Sequence, residues 1–164
     1  MQRQERTEQL AKDTFHRAVR ESVACVFGLI VSAYFLQNAP IGSAKYYGCL
    51  LSLVSTGFVL GVVWAFTISR RVVQRHPATD SLYWREAFET QARLLRFVPL
   101  WYAAPLTTGT ILFIAPTSAN EFAFFLLKLG IVGAIFAGVI YLNKTTAEAL
   151  EAEAKEFCKE LRAE

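Results

Sequence analysis

Charge is the scarcest feature of this chain. Asp, Glu, Lys and Arg make up 19% of its 164 residues, where a soluble domain carries about 25%. Three cysteines are too few for a disulfide scaffold. Five prolines and nine glycines without a period exclude a collagen-like or low-complexity chain. The two histidines, His16 and His76, fall in separate segments. No H-E-x-x-H, C-x-x-C, P-loop, dinucleotide fingerprint or nucleophile elbow occurs. The expectation is therefore no catalytic residue, no metal ligand and no cofactor. The abundant component is apolar, at 54% with a mean hydropathy of +0.31, which excludes disorder as the main state.

The charges are segregated. Residues 22–40, 46–69, 97–115 and 122–142 hold one charge between them, Lys128. Each run has about the 20 residues a helix needs to cross a hydrocarbon core, and a helix satisfies its own backbone in lipid. A soluble bundle would place charges along one face of every helix, and these runs have no such face. The expected fold is an all-α integral membrane protein with four transmembrane helices and amphipathic cytoplasmic helical extensions. The charged blocks are 1–21, 70–96 and 143–164. All Lys and Arg except Lys45 and Lys128 lie in them, and basic residues beside short loops stay inside. Arg70, Arg71 and Arg75 carry most weight. Both termini are thus expected in the cytoplasm. Gly42-Ser43-Ala44 has the form of a cleavage site, but the long apolar run and the acids before it argue against a signal peptide.

The first helix is expected to start in water, with a cap region at Thr7–Leu10, and to end near Gln37-Asn38-Ala39-Pro40. Gly57-x-x-x-Gly61 in the second run and Gly130-x-x-x-Ala134-x-x-x-Gly138 in the fourth are candidate helix-packing stripes. Packing within the chain is the first reading, and a homo-dimer seam is the other. Lys128 lies about 9 Å of rise from the outer end of its helix, within snorkelling reach. It is the candidate intramembrane charge; no acid in the other runs can pair with it. Thr107, Thr108 and Thr110 after Pro105 suggest a kinked helix whose hydroxyls satisfy freed backbone groups. Cys25 and Cys49 sit at opposite depths, so they are not expected to pair; Cys158 is a tail thiol.

Asp80 and Ser81 are good helix starters, and 81–96 is strongly amphipathic. Tyr83, Trp84, Ala87, Phe88, Leu94, Leu95 and Val98 share one arc, interrupted by Gln91. Two placements stay open for that face: along the inner membrane surface, or against the other cytoplasmic helices. Tyr83, Trp84, Arg85, Phe88, Arg93, Arg96, Trp101 and Tyr102 are the candidate contacts with lipid or a partner. The tail carries a narrow stripe of Ala147, Leu150, Ala154, Phe157 and Leu161, and a Glu151–Lys155 pair is expected. A basic loop and an acidic tail suggest a small helical subdomain. The basic loop alternates with acids and is assigned to topology and lipid contact, so no nucleic acid is expected.

The segment Leu94-Leu95-Arg96, Trp101-Tyr102, Pro105-Leu106 and Gly109 resembles part of a family of small, uncharacterised bacterial multi-pass membrane proteins. The resemblance covers about 20 residues. It implies a bacterial inner (plasma) membrane location and no activity. The expected function is non-enzymatic, through helix-mediated contact with membrane lipid, a second copy or another membrane protein. An oligomeric transporter or channel for ions or small solutes is the alternative, with Lys128 facing an anion path. A membrane enzyme is the third.

Overall fold

The computed structural model describes residues 2–162, with side chains described except at 2, 3, 119, 158 and 160–162. Every element among them is helical: α1 (Gln2–Asn38), α2 (Ala44–Ala65), α3 (Arg70–Arg75), α4 (Ser81–Arg96), a π-helical turn (Pro99–Ala103), α5 (Ala104–Ile114), a 3-10 turn (Ala119–Glu121) and α6 (Phe122–Arg162). Three helices are long and apolar enough to cross a membrane. A fourth span is added among the described residues if α4 and the run Pro99–Ile114, bent away from it, count together.

The helix ends follow local chemistry. Thr7 is no cap, because α1 already starts at Gln2; the Thr7 hydroxyl is buried and donates to the Gln4 carbonyl at 2.9 Å. Without a Pro or an early Gly, α1 runs for 37 residues and stops at Asn38, before Pro40. The chain reverses through Gly42, whose φ of 85° favours glycine. Ser43 then caps α2 by accepting from the Tyr46 N–H at 3.1 Å. Asp80 caps α4 in the same way through Tyr83 N–H at 3.3 Å. Pro99 and Pro105 lack an N–H, and the chain between them takes the wider π turn. The 46° bend lies just before this turn, between the end of α4 at Arg96 and the run that begins at Pro99. Thr108 and Thr110 hydroxyls donate to the Ala104 and Leu106 carbonyls at 2.8 Å each. Nothing interrupts α6, so the fourth apolar run and the charged tail form one helix of 41 residues.

Two packed regions result. In the apolar body, α2 lies between α1 and α5. At the charged end, the start of α1, α3, α4 and the end of α6 build a second core of Leu10, Ala11, Ile68, Trp84, Phe88, Ala154 and Phe157. Trp84 and Phe157 are fully buried; each such side chain contributes about 1.5–3 kcal/mol by leaving water. Arg6 meets Glu156 at 3.7 Å, tying the two ends of the chain. The apolar half of α6 stays almost wholly exposed.

Candidate functional site

The charged head is where the candidate residues converge, and its core removes several of them from the surface. Phe88 packs on Phe157, ring centroids 6.1 Å apart. Trp84 lies beside it, its indole N–H shared between the His76 and Pro77 carbonyls at 3.1 and 3.2 Å. The apolar face of α4 therefore packs on α6 and α1. With 0% and 1% exposure, Trp84 and Phe88 have no area for lipid or a partner. Their assignment as surface contacts is corrected. The physical reason is that the narrow stripe on α6 needs an apolar counterpart, and α4 is the one the chain brings to it. Leu161 and Cys158 of that tail lie outside the described side chains.

Tyr83 is half-buried and stacks on His76, 3.8 Å between centroids and 5° between planes. His76 Nδ1 donates to Asp80 at 2.9 Å. This bond first, and the Tyr83 N–H second, hold the Asp80 carboxyl below its usual range. Burial pushes the Tyr83 phenol up. Trp101 and Tyr102 turn their polar atoms inward. The Trp101 indole donates to the Leu94 carbonyl at 3.0 Å, and the Tyr102 hydroxyl donates to Glu21 at 3.4 Å. Beside Glu21, burial lowers the Arg17 guanidinium from its ordinary value, and the Glu21 carboxylate offsets part of this.

The remaining head candidates stay exposed in a groove of about 690 Å³ between α4 and α6. Arg85 bonds Glu89 at 2.8 Å and Arg96 meets Glu151 at 3.4 Å. The sequence paired Glu151 with Lys155; the neighbouring helix offers Arg96 instead. Arg93, Lys155 and Lys159 line the same groove with no carboxylate at ion-pair distance among the described residues. A second groove of about 680 Å³ on the α1 side mixes both signs.

The small-residue stripes are not where the helices meet. A Cβ built on Gly57, Gly61, Gly130 or Gly138 finds nothing within 4 Å, and Ala134 is exposed. The close approach is between Gly48 on α2 and Gly109 on α5. A Cβ on Gly48 would lie 2.5 Å from the Phe113 nitrogen, and one on Gly109 2.5 Å from Ser52 Oγ. Gly48-x-x-x-Ser52 has the small-residue spacing, so that signal was present but could not be ranked. Gln91, read as an interruption, is buried and donates to the Phe66 carbonyl at 2.6 Å. Lys128 is exposed and lines none of the described grooves. Cys25 and Cys49 are buried and free. No group of three His, Cys, Asp or Glu side chains capable of holding a metal occurs among the described residues.

No protein-family model matches the chain, and neither a curated protein nor a solved structure matches it.

Proposed function

We propose that this chain is a four-span protein of a bacterial inner membrane, with both ends in the cytoplasm, that acts through contacts of its charged helical head rather than through catalysis. One observation carries the reading. Residues near the start of α1 and near the end of α6 share a single core and an ion pair. Both ends must then lie on one side of any bilayer the chain crosses, which requires an even number of crossings. In this reading Pro99–Ile114 alone is the fourth span, without α4, whose apolar face is buried in the head. This run rises roughly 24 Å, short of the ~30 Å hydrocarbon core, and tilt of its neighbours or local thinning of the bilayer accommodates the difference. The arginines of α3 and α4 supply the basic inner face. The resemblance of residues 94–109 to small bacterial membrane proteins fits the same placement.

Within the head, Leu82 stands 73% exposed at the start of α4, beside charged Arg85 and Glu86. An exposed Leu rimmed by charge is a suitable contact point for another protein. Reporter fusions at the two termini should report the same side. A photo-crosslinking residue in place of Leu82, in native membranes, should capture a protein, either a second copy or another. Termini on opposite sides would refute the topology; no protein adduct would refute the role.

A further inference from the structure

We propose that the crevice between α5 and α6, together with the basic groove above it, binds an anionic phospholipid of the inner leaflet. The proposal rests on the membrane reading above. The lower part is apolar: Ala103, Ala104 and Thr107 face Gly133, Ala137 and Ile140 across about 430 Å³. A Cβ built on Gly133 meets nothing within 4 Å, so the chain's own side chains do not close the crevice.

Both parts lie on one face of one helix. Gly133, Ala137, Ile140, Lys144, Glu151 and Lys155 follow each other at steps of four, three, four, seven and four, which is a single stripe on α6. From Gly133 to Lys144 the helix rises about 16 Å, close to the ~15 Å depth of one leaflet. An acyl chain lying along Gly133–Ile140 would thus bring its phosphate to Lys144. Beyond it the groove presents Arg85, Arg93, Arg96, Lys155 and Lys159 against Glu89 and Glu151. Side chains of a helix lean toward its N-terminus, which on α6 directs Lys144 and Lys155 toward the bilayer. The surplus of cations selects an anionic headgroup. The groove lining ends at Arg96 and Phe97 and the crevice lining begins at Pro99, so a headgroup beside Arg96 with an acyl chain in the crevice fits an amphiphile, whereas a soluble phosphate would leave the crevice unfilled.

The test uses the full chain in nanodiscs of phosphatidylcholine with a minority of phosphatidylglycerol, re-extracted in mild detergent, with retained lipid quantified. Wild type should retain phosphatidylglycerol above its bulk share. Lys144→Gln, exposed and outside any ion pair described here, should cut that retention by about fivefold, the effect of one cation near the surface. Gly133→Leu fills the crevice while keeping every charge, and should reduce retention of both lipids. Soluble glycerol phosphate should not displace the bound lipid. Phosphatidylglycerol at its bulk share in wild type, unchanged retention in both variants, or displacement by glycerol phosphate would overturn the site. A chain that incorporates into nanodiscs yet shows these results leaves the membrane reading standing. A chain that fails to incorporate overturns both.

Discussion

Gly48→Ala is the substitution on which the packing argument is most exposed. Two effects oppose each other. Alanine is favoured over glycine inside a helix by up to about 1 kcal/mol. Against that, the new Cβ would lie 2.5 Å from the Phe113 nitrogen, 2.8 Å from the Gly109 carbonyl oxygen and 3.0 Å from the Leu112 carbonyl carbon. These are backbone atoms of α5, which cannot rotate away as a side chain can. Restoring ordinary contact at 3.4 Å needs α2 and α5 to part by about 0.9 Å along their tightest contact. Overpacking of this kind costs about 1–3 kcal/mol, and rigid backbone places it in the upper half, for a net loss of about 1–2 kcal/mol. At about 2–4 °C per kcal/mol for a chain of this size, the midpoint of thermal unfolding falls by about 2–8 °C. Gly109→Ala should fall less, since its nearest neighbour is Ser52 Oγ, which can turn. Gly57→Ala meets open space and should gain up to about 1 kcal/mol. The assay is loss of helical circular dichroism on heating in detergent, under one set of conditions for all three. If Gly48→Ala proves as stable as Gly57→Ala, the placement of the α2–α5 contact is wrong.

Three further outcomes follow from the head. Phe157→Ala should cost about 3–5 kcal/mol, as for other fully buried aromatics, and should make the end of α6 cleavable in a limited-proteolysis time course; an unchanged cleavage pattern would count against the shared core. Gln91→Leu removes the donor to the Phe66 carbonyl and should lower stability by about 1 kcal/mol, read by chemical denaturation, with a stabilised variant refuting the role given to that bond. The Asp80 carboxyl titrates below its ordinary value, so its contribution is present above the unfolded Asp range near pH 4 and is lost as pH falls through the lower folded value. Acidification should change Trp84 fluorescence in wild type and not in Asp80→Asn, and identical profiles would refute the linkage.

Much of the local structure was legible because it depends on neighbours in sequence. Pro40 stops α1, Asp80 starts α4, and Pro99 follows directly on the bend that ends α4. The amphipathic pattern of 81–96 was equally plain, but periodicity gives a helix an apolar face without saying what covers it. Whether Trp84 and Phe88 meet lipid or protein depended on α6 continuing past Leu142 and bringing Phe157 alongside. The glycines show the same limit. Gly48, Gly57 and Gly61 look alike in a list of small residues, yet only Gly48 faces a neighbouring backbone. The rotation of a helix about its axis is set by all its contacts at once, and spacing along one helix does not contain that information.

The sequence by itself determined an all-helical chain, its long apolar runs and the separation of charge into three blocks, because hydropathy and backbone propensity act locally. The tertiary structure alone decided that the two ends of the chain meet, that α2 and α5 touch through Gly48 and Gly109, and that α6 stands off from α5 to leave a crevice below a basic groove. Those features arise from residues far apart in sequence, whose distances are fixed only when the helices pack together.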